Sequence, residues 1–471
     1  MNVMKIILIS FFFFSWSVAQ LSAQKQDSAR FMTLTQYYEQ IRSHHPLVRQ
    51  AGLLSDQARQ EIRLARGNFD PKLEASYATK EYQDKNYFNT LNTVLALPTR
   101  SPVTTKVGFE QRTGQLLDPS EKIPGNQQMT AMISLPLGRG LLTDERRTAL
   151  NQAELMTTLL EAEQVKMINK VLLEAASAYW NWYYREQAFQ LLTAAAGLSQ
   201  EILKRVKLNF EQGEATMLDT IQASITFQMR MAEQQEALNQ LRNARIIVSN
   251  FLWNSDGAPV QLLESAKPVR VDMLWQISEQ ELIELSDRAR QQHPELIKLR
   301  TKYTQLEYER MLAKEFLKPR LDLQYGLLSQ PGTDQLIDPV NDYKFGLDFS
   351  FPLWLRKERA KLKMTDLKLQ NTDLETRQQE REIENTIRKV FNDLTNTSVL
   401  LTRQDVMAQS YERLMEGELL NLRNGESDLF KINIQQEKLI QAREKLIKLQ
   451  AEFEKQKAFL YWAAGVAPLS E

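Results

Sequence analysis

Two long stretches of this chain contain no proline. None occurs between Pro136 and Pro259, and none between Pro352 and Pro468, although the 471 residues hold 15 in all. Both stretches are also poor in glycine and rich in Leu, Gln, Glu and Lys, a composition that favours uninterrupted helix. Leu142 to about Asn209 and Lys357 to Asn424 each predict a helix roughly 100 Å long at ~1.5 Å per residue. In the second, Leu367 and Leu374 stand one heptad apart; Ile387, Leu394 and Leu401 continue that spacing, with Ile383 and Val390 between. This is coiled-coil text. Rods of that length do not bury their seams inside one compact domain.

Six of the prolines fall into three ordered pairs. "HHPLVRQA" holds Pro46 and "QHPELIKL" holds Pro294; "FDPKLEASY" holds Pro71 and "LKPRLDLQY" holds Pro319, at the same offset. Pro136 in "SLPLGRG" pairs with Pro352 in "SFPLWLR". Gly213 in "NFEQGEATML" then pairs with Gly425 in "NLRNGESDLF". Ordered matches of this kind mark an internal duplication. Each unit begins with a helix, Leu34 to Arg66 or Leu282 to Lys318, with Thr33 as a candidate cap. The glycines are read as tight turns that send the chain back antiparallel, in return helices ending near Phe251 and Leu460.

Between helix and rod the period changes to two. "KLEASYA" puts Leu73, Ala75 and Tyr77 on one face, and "RLDLQYGL" does the same with Leu321, Leu323, Tyr325 and Leu327. In "YKFGLDFSFPL" the apolar face is Tyr343, Phe345, Leu347, Phe349 and Phe351, opposite Lys344, Gly346, Asp348 and Ser350. These are one-sided strands. One hairpin per unit gives four strands per chain. The long loop from Asn86 to Asn126 contains alternating pieces that suggest an extra hairpin, outside the membrane or at the barrel mouth, which alters the strand count if it joins the wall. A small sheet has open edges, and closure with neighbouring copies into a barrel satisfies them. A closed barrel with one apolar face suits an outer membrane.

Composition excludes several classes. Formal net charge is zero, so nothing marks a nucleic-acid binder. The absence of cysteine removes disulfides, thiol nucleophiles and thiolate metal sites. The three histidines, His44, His45 and His293, are too scattered for a metal centre. Asp144 and Glu145 in "TDERR" suit a helix start, and Trp180, Trp182, Tyr183 and Tyr184 in "NWYYREQ" suit helix packing. "GRG" at Gly138 to Gly140 reads as a flexible joint between strand and rod. No phosphate-binding glycine loop is present, and no catalytic cluster or cofactor site is expected. The start, "MNVMKIILISFFFFSWSVAQLSAQ", reads as a secretory signal ending at Ala23 or Ala19.

In these features the chain resembles the outer-membrane efflux proteins, the TolC-like family, over essentially the whole mature sequence. The resemblance rests on the signal, the two His-Pro pairs, the strand-opening Pro71 and Pro319, the strand-to-helix junctions at Pro136 and Pro352, and the turn glycines Gly213 and Gly425. It implies a mixed fold: a membrane β-barrel on a long α-helical coiled-coil barrel, internally duplicated and trimeric, with twelve strands in the ring. It implies a passive exit duct for efflux or type I secretion, located in the outer membrane with a long periplasmic domain. The implied partners are two further copies of the chain, outer-membrane lipid, a periplasmic adaptor and an inner-membrane pump, with no nucleic acid. A non-conducting coiled-coil scaffold of the cell envelope is the alternative; an exported enzyme lacks a visible catalytic cluster.

The chain then divides into a signal peptide (1–23), a first repeat (24–253; strands within 71–137, hairpin 142–253), a linker (254–278), a second repeat (279–462; strands within 319–353, hairpin 357–462) and a tail (463–471). The turns with Gly213, Glu214, Gly425 and Glu426 are the expected adaptor contacts. In the family's namesake two aspartates past the second turn glycine ring the entrance. Here those positions fall on Lys431 and Ile434, matched in the first repeat by Asp219 and Gln222, while Asp428 lies one turn earlier. Closure is therefore expected to rely on helix packing and apolar constriction more than on an acidic ring.

Overall fold

The computed structural model describes residues 31–115, 117–269, 278–332, 338–424 and 426–467; the expected signal peptide and Gly425 lie outside them. Both rods are present as single helices, α3 (Glu145–Glu211) and α7 (Arg356–Arg423). Their return helices are α4 (Met217–Ser249) and α8 (Leu429–Ala463). No helix among the described residues is long and apolar enough to cross a membrane.

The two opening helices differ from expectation: each is broken at its His-Pro pair. The first unit has α1 (Leu34–His44) and α2 (Pro46–Arg66); the second has α5 (Glu279–Gln292) and α6 (Pro294–Glu315). Proline lacks an N–H and pushes the preceding residue out of the helical region, and His45 and His293 are both extended, at ψ 131° and 127°. Each histidine then caps the next helix. His45 Nδ1 accepts from the Leu47 amide and His293 Nδ1 from the Glu295 amide, both at 3.2 Å. The His-Pro motif is thus a helix elbow with a built-in N-cap.

The sheet also corrects the expectation of four strands. It has six, in the order β2-β3-β4-β5-β7-β8. These are β2 (Lys72–Tyr82), β3 (Lys85–Pro98), β4 (Thr104–Thr113) and β5 (Gln127–Pro136) from the first unit. The second unit adds only β7 (Arg320–Ser329) and β8 (Tyr343–Ser350). All neighbours are antiparallel. The extra hairpin suggested by the alternating pieces exists, and it lies within the sheet. Gln83 and Asp84 join β2 to β3 with φ of 53° and 56°, as a two-residue hairpin turn with both central residues left-handed requires. A separate two-residue pair, β1 (Phe31–Met32) and β6 (Lys267–Pro268), runs parallel. It ties the expected linker to the start of α1, so part of that linker is structural.

The helices form a single layer. On the barrel side they pack in the order α2-α3-α6-α7; on the far side the order is α4-α3-α8-α7. The seam of α7 runs through Ile383, Ile387, Val390, Leu394 and Leu401, all buried. Fully burying each such side chain contributes about 1.5–3 kcal/mol. Leu367 and Leu374 do not join it: the buried positions there are Thr365, Leu369 and Thr372, and the two leucines face outward. Midway along, Tyr37, Tyr179, Trp180, Trp182 and Tyr183 make an aromatic core. Tyr37 donates to the Val248 carbonyl at 3.0 Å and Tyr179 to the Met32 carbonyl at 2.9 Å.

The joint from sheet to rod is tightly bonded, contrary to the flexible reading of "GRG". Leu137 and Arg139 amides donate to Leu321 and Pro319 carbonyls at 2.7 and 2.8 Å. A Cβ on Gly138 would lie 2.1 Å from the Pro319 oxygen. The buried Glu315 carboxylate accepts from the Gly140 and Leu142 amides at 3.1 and 3.2 Å and pairs with Lys318 at 2.7 Å. Arg147 reaches back to the Gly140 carbonyl at 2.5 Å. At the second joint Leu355 caps α7 with left-handed backbone, φ 48°.

Gly138→Ala must displace the Pro319 carbonyl and lowers the thermal midpoint, whereas Gly197→Ala, with open space around it in α3, raises stability by up to ~1 kcal/mol; thermal unfolding of both variants checks the contrast. Burial, opposed at His45 by Glu174 and at His293 by Glu295, lowers both imidazole pKa values. Neutral imidazole accepts the capping bond and imidazolium does not, so this stabilisation is present above the ordinary value of about 6.5 and is lost as pH falls through the depressed values. Replacing both histidines by Asn, a non-titrating cap worth about 1 kcal/mol per site, should flatten that part of the melting-temperature profile between neutral and mildly acid pH.

Candidate functional site

The end of the helical layer farthest from the sheet carries the two turns. α3 closes with Gly213 at φ 78°. The Glu214 amide donates to the Asn209 carbonyl at 2.8 Å and the Gly213 amide to Phe210 at 3.0 Å. This is a Schellman closure, which needs a residue in left-handed conformation at the glycine position. The second turn repeats its outer bond, with the Glu426 amide donating to the Asn421 carbonyl at 2.9 Å.

Each return helix starts on a side-chain cap. Thr216 caps α4 in a reciprocal box with Asp219: the Asp219 amide donates to Thr216 Oγ1 at 3.2 Å, and Asp219 Oδ2 accepts from the Thr216 amide at 2.9 Å. The Thr216 hydroxyl, which also donates to that oxygen, and the amide together hold the Asp219 carboxyl below the usual range. Asp428 caps α8, accepting from the Lys431 amide at 2.8 Å. Thr216 and Asp428 are therefore equivalent in the duplication, which pairs Asp219 with Lys431 and Gln222 with Ile434. Both acidic candidates serve their own helix starts, and the chain does not bring them together. Lys431, Gln222 and Ile434 are exposed, as are the neighbouring Met217, Leu218, Ile221 and Phe430.

The residues that lock this end together were not among the sequence candidates. Arg230 on α4 is only 2% exposed and bonds Glu233 on its own helix and Glu437 on α8, both at 2.7 Å. Next to Glu437, the buried Gln436 donates to the Ala195 carbonyl at 3.1 Å and bonds Ser199 on α3. Consecutive residues of α8 are thus tied to both helices of the first hairpin. One signal was available in the sequence: Gln436 interrupts the buried line of Leu429, Ile432 and Ile440, and a polar group in a helical seam often fixes register.

Arg230→Ala should speed amide exchange in the first turns of α8 and leave the aromatic core protected. Arg230 also holds the Glu437 carboxyl below its usual range. Its contribution is therefore full above the ordinary Glu value of about 4.3 and is lost as pH falls through the depressed one. Exchange at this end should accelerate in acid in the wild type and not in the Glu437→Gln variant.

Among the described residues no group of His, Asp and Glu is arranged to hold a metal ion. The sequence profile of the family described as outer membrane efflux protein matches residues 37–252. The alkaline protease secretion protein AprF of Pseudomonas aeruginosa is 24% identical over 282 residues, or 59% of this chain. That match spans about half, 54%, of the relative's own length. The solved outer membrane protein VceC from Vibrio cholerae superposes with a TM-score of 0.63 at 15% identity, covering 93% of this chain and 97% of that one. The open state of the Neisseria gonorrhoeae MtrE outer membrane channel gives 0.65 at 13%, covering 92% and 89%. The likeness to these structures is one of fold. The duplicated helical hairpins and the one-sided sheet thus give this chain the fold of these outer membrane channels, and residues 37–252 are similar in sequence to the outer membrane efflux protein family.

Proposed function

We propose that the protein is a passive exit duct, a homotrimer whose sheets form a barrel in the outer membrane and whose helices form a hollow periplasmic cylinder. The observation that carries this reading is the shared order of the two layers. α2 leads into β2 at one edge, and β8 leads into α7 at the other. Among the described residues both edges are unpartnered in the single chain. Leu53 and Leu64 on α2, and Met364, Leu367 and Leu374 on α7, are exposed apolar groups at opposite ends of the helical row. Complementary ends of this kind suit a cyclic, head-to-tail ring.

The two turns, bearing Gly213 and Glu214 in the first unit and Glu426 in the second, are farthest from the sheet and are where a periplasmic adaptor, coupled to an inner-membrane pump, would dock. Closure at this end rests on the Arg230 and Gln436 ties and on the exposed apolar groups beside them, without an acidic pair at Lys431 and Ile434. The relative's name, a secretion protein, and the channels of similar fold support either small-molecule efflux or export of polypeptide as the task.

Planar bilayers containing the purified trimer provide the test. The wild type should conduct weakly, with little cation preference in reversal potentials across a salt gradient, and Arg230→Ala should conduct severalfold more. A trimer that never conducts in either form would favour the non-conducting scaffold. Strong cation selectivity abolished by Asp428→Ala would show that an acidic gate operates.

A further inference from the structure

Three copies of a six-stranded sheet give eighteen strands, where the family resemblance implies twelve. We propose that the β3–β4 hairpin is part of the membrane wall and that the chain closes an eighteen-stranded barrel about as wide as its helical cylinder. The proposal rests on the trimeric duct reading and adds the size of its membrane exit.

Register carries the first argument. Leu73, Leu95, Val107, Ala131, Leu327 and Tyr343 lie side by side across the whole sheet. Because side chains alternate, they share one face. That face continues on the added hairpin through Leu91 and Phe109, and on β8 through Phe345, Leu347 and Phe349. The opposite face carries Glu74, Asn92, Lys106, Glu110, Gln324, Lys344 and Asp348. A flap outside the membrane, or a plug within the lumen, has no reason to keep the apolar and polar faces of its neighbours in step. A segment of wall between lipid and water requires it.

The second argument is the match of perimeters. A strand spaced ~4.8 Å from the next and tilted about 40° occupies roughly 6 Å of circumference. Eighteen strands then span ~110 Å and twelve ~75 Å. Three rows of four helices at ~8–10 Å spacing span ~95–120 Å. Eighteen strands continue the helical wall at nearly its own width; twelve would narrow it. The free edges agree with closure, since β2 and β8 run in opposite directions within the sheet and pair antiparallel across a protomer boundary. Barrels of 16–18 strands leave an aqueous channel, so the narrowest passage of this duct is at the helical tips, and its membrane exit admits a polypeptide with secondary structure intact.

The chain has no cysteine, so each introduced thiol is unique. Single variants Leu91→Cys, Asn92→Cys, Thr93→Cys, Val94→Cys and Leu95→Cys on β3, with Lys344→Cys and Phe345→Cys on β8 as references, are labelled in intact outer membranes. The probes are a water-soluble maleimide and a fluorophore quenched by lipid-borne nitroxide. The expected result is alternation on β3 in phase with β8: positions 92, 94 and 344 react several-fold faster with the aqueous reagent, and 91, 93, 95 and 345 are quenched from lipid. Uniform aqueous labelling of β3 beside an alternating β8 overturns the eighteen-stranded wall and leaves the duct reading intact. Loss of alternation on β8 as well, or a native mass other than that of a trimer, overturns both. Electron cryomicroscopy of the unmodified trimer in lipid nanodiscs gives the strand count without any variant; twelve strands refutes the proposal and eighteen supports it.

Discussion

The structure depends on a wall that is one element thick. A single layer of helices or strands has two faces and two ends, and only one of those boundaries can rest on the chain's own interior. The sheet shows this plainly: β2 is exposed along its whole length and β8 along nearly all of it. Their outward backbone groups have no strand partner among the described residues. Unpaired backbone in hydrocarbon costs several kcal/mol per group, so a sheet with this apolar face and these edges is stable in a membrane only as part of a closed ring. The helical row meets the same demand in milder form, through exposed leucines at its two ends.

Duplication supplies the parts of such a ring, and the two copies agree most closely where backbone geometry is demanding. Both elbows use histidine and proline, and both turns make the same amide bond to a carbonyl five residues back. The copies diverge where geometry is forgiving. The first joint is held by Glu315 and Arg147 and the second by a left-handed Leu355. The first unit spans the gap between α2 and α3 with four strands; the second spans α6 to α7 with two.

Much of this was legible in the sequence because it was written as period and punctuation. The absence of proline located both rods to within a few residues, and alternation put Leu321, Leu323, Tyr325 and Leu327 of β7 on one face and Tyr343, Phe345, Leu347 and Phe349 of β8 on one face, which the pairing register joins. The elbows were missed because apolar spacing continues across His45 and His293, and the break depends on a missing N–H. The count of strands was missed because β3 carries Asn89, Thr90, Asn92 and Thr93 on both faces, which dilutes alternation, and ends on Pro98. Heptad spacing identified Leu367 and Leu374 without showing whether their seam closes within the chain or beyond it. The Arg230 tie was hidden because arginine and glutamate are ordinary helix residues, and nothing but tertiary placement makes one of them buried.

The inserted hairpin also sets how such a ring can change size. A hairpin adds two strands at once, which keeps the up-and-down alternation and returns the chain to the side it left. In a threefold ring one insertion therefore adds six strands, and no intermediate size is open to identical subunits. The bore grows in steps of about half the original circumference from twelve strands to eighteen, since diameter rises roughly in proportion to strand number. A duct of this architecture widens its membrane opening by one short duplication or insertion between two existing strands, leaving the helices, their caps and the tips untouched.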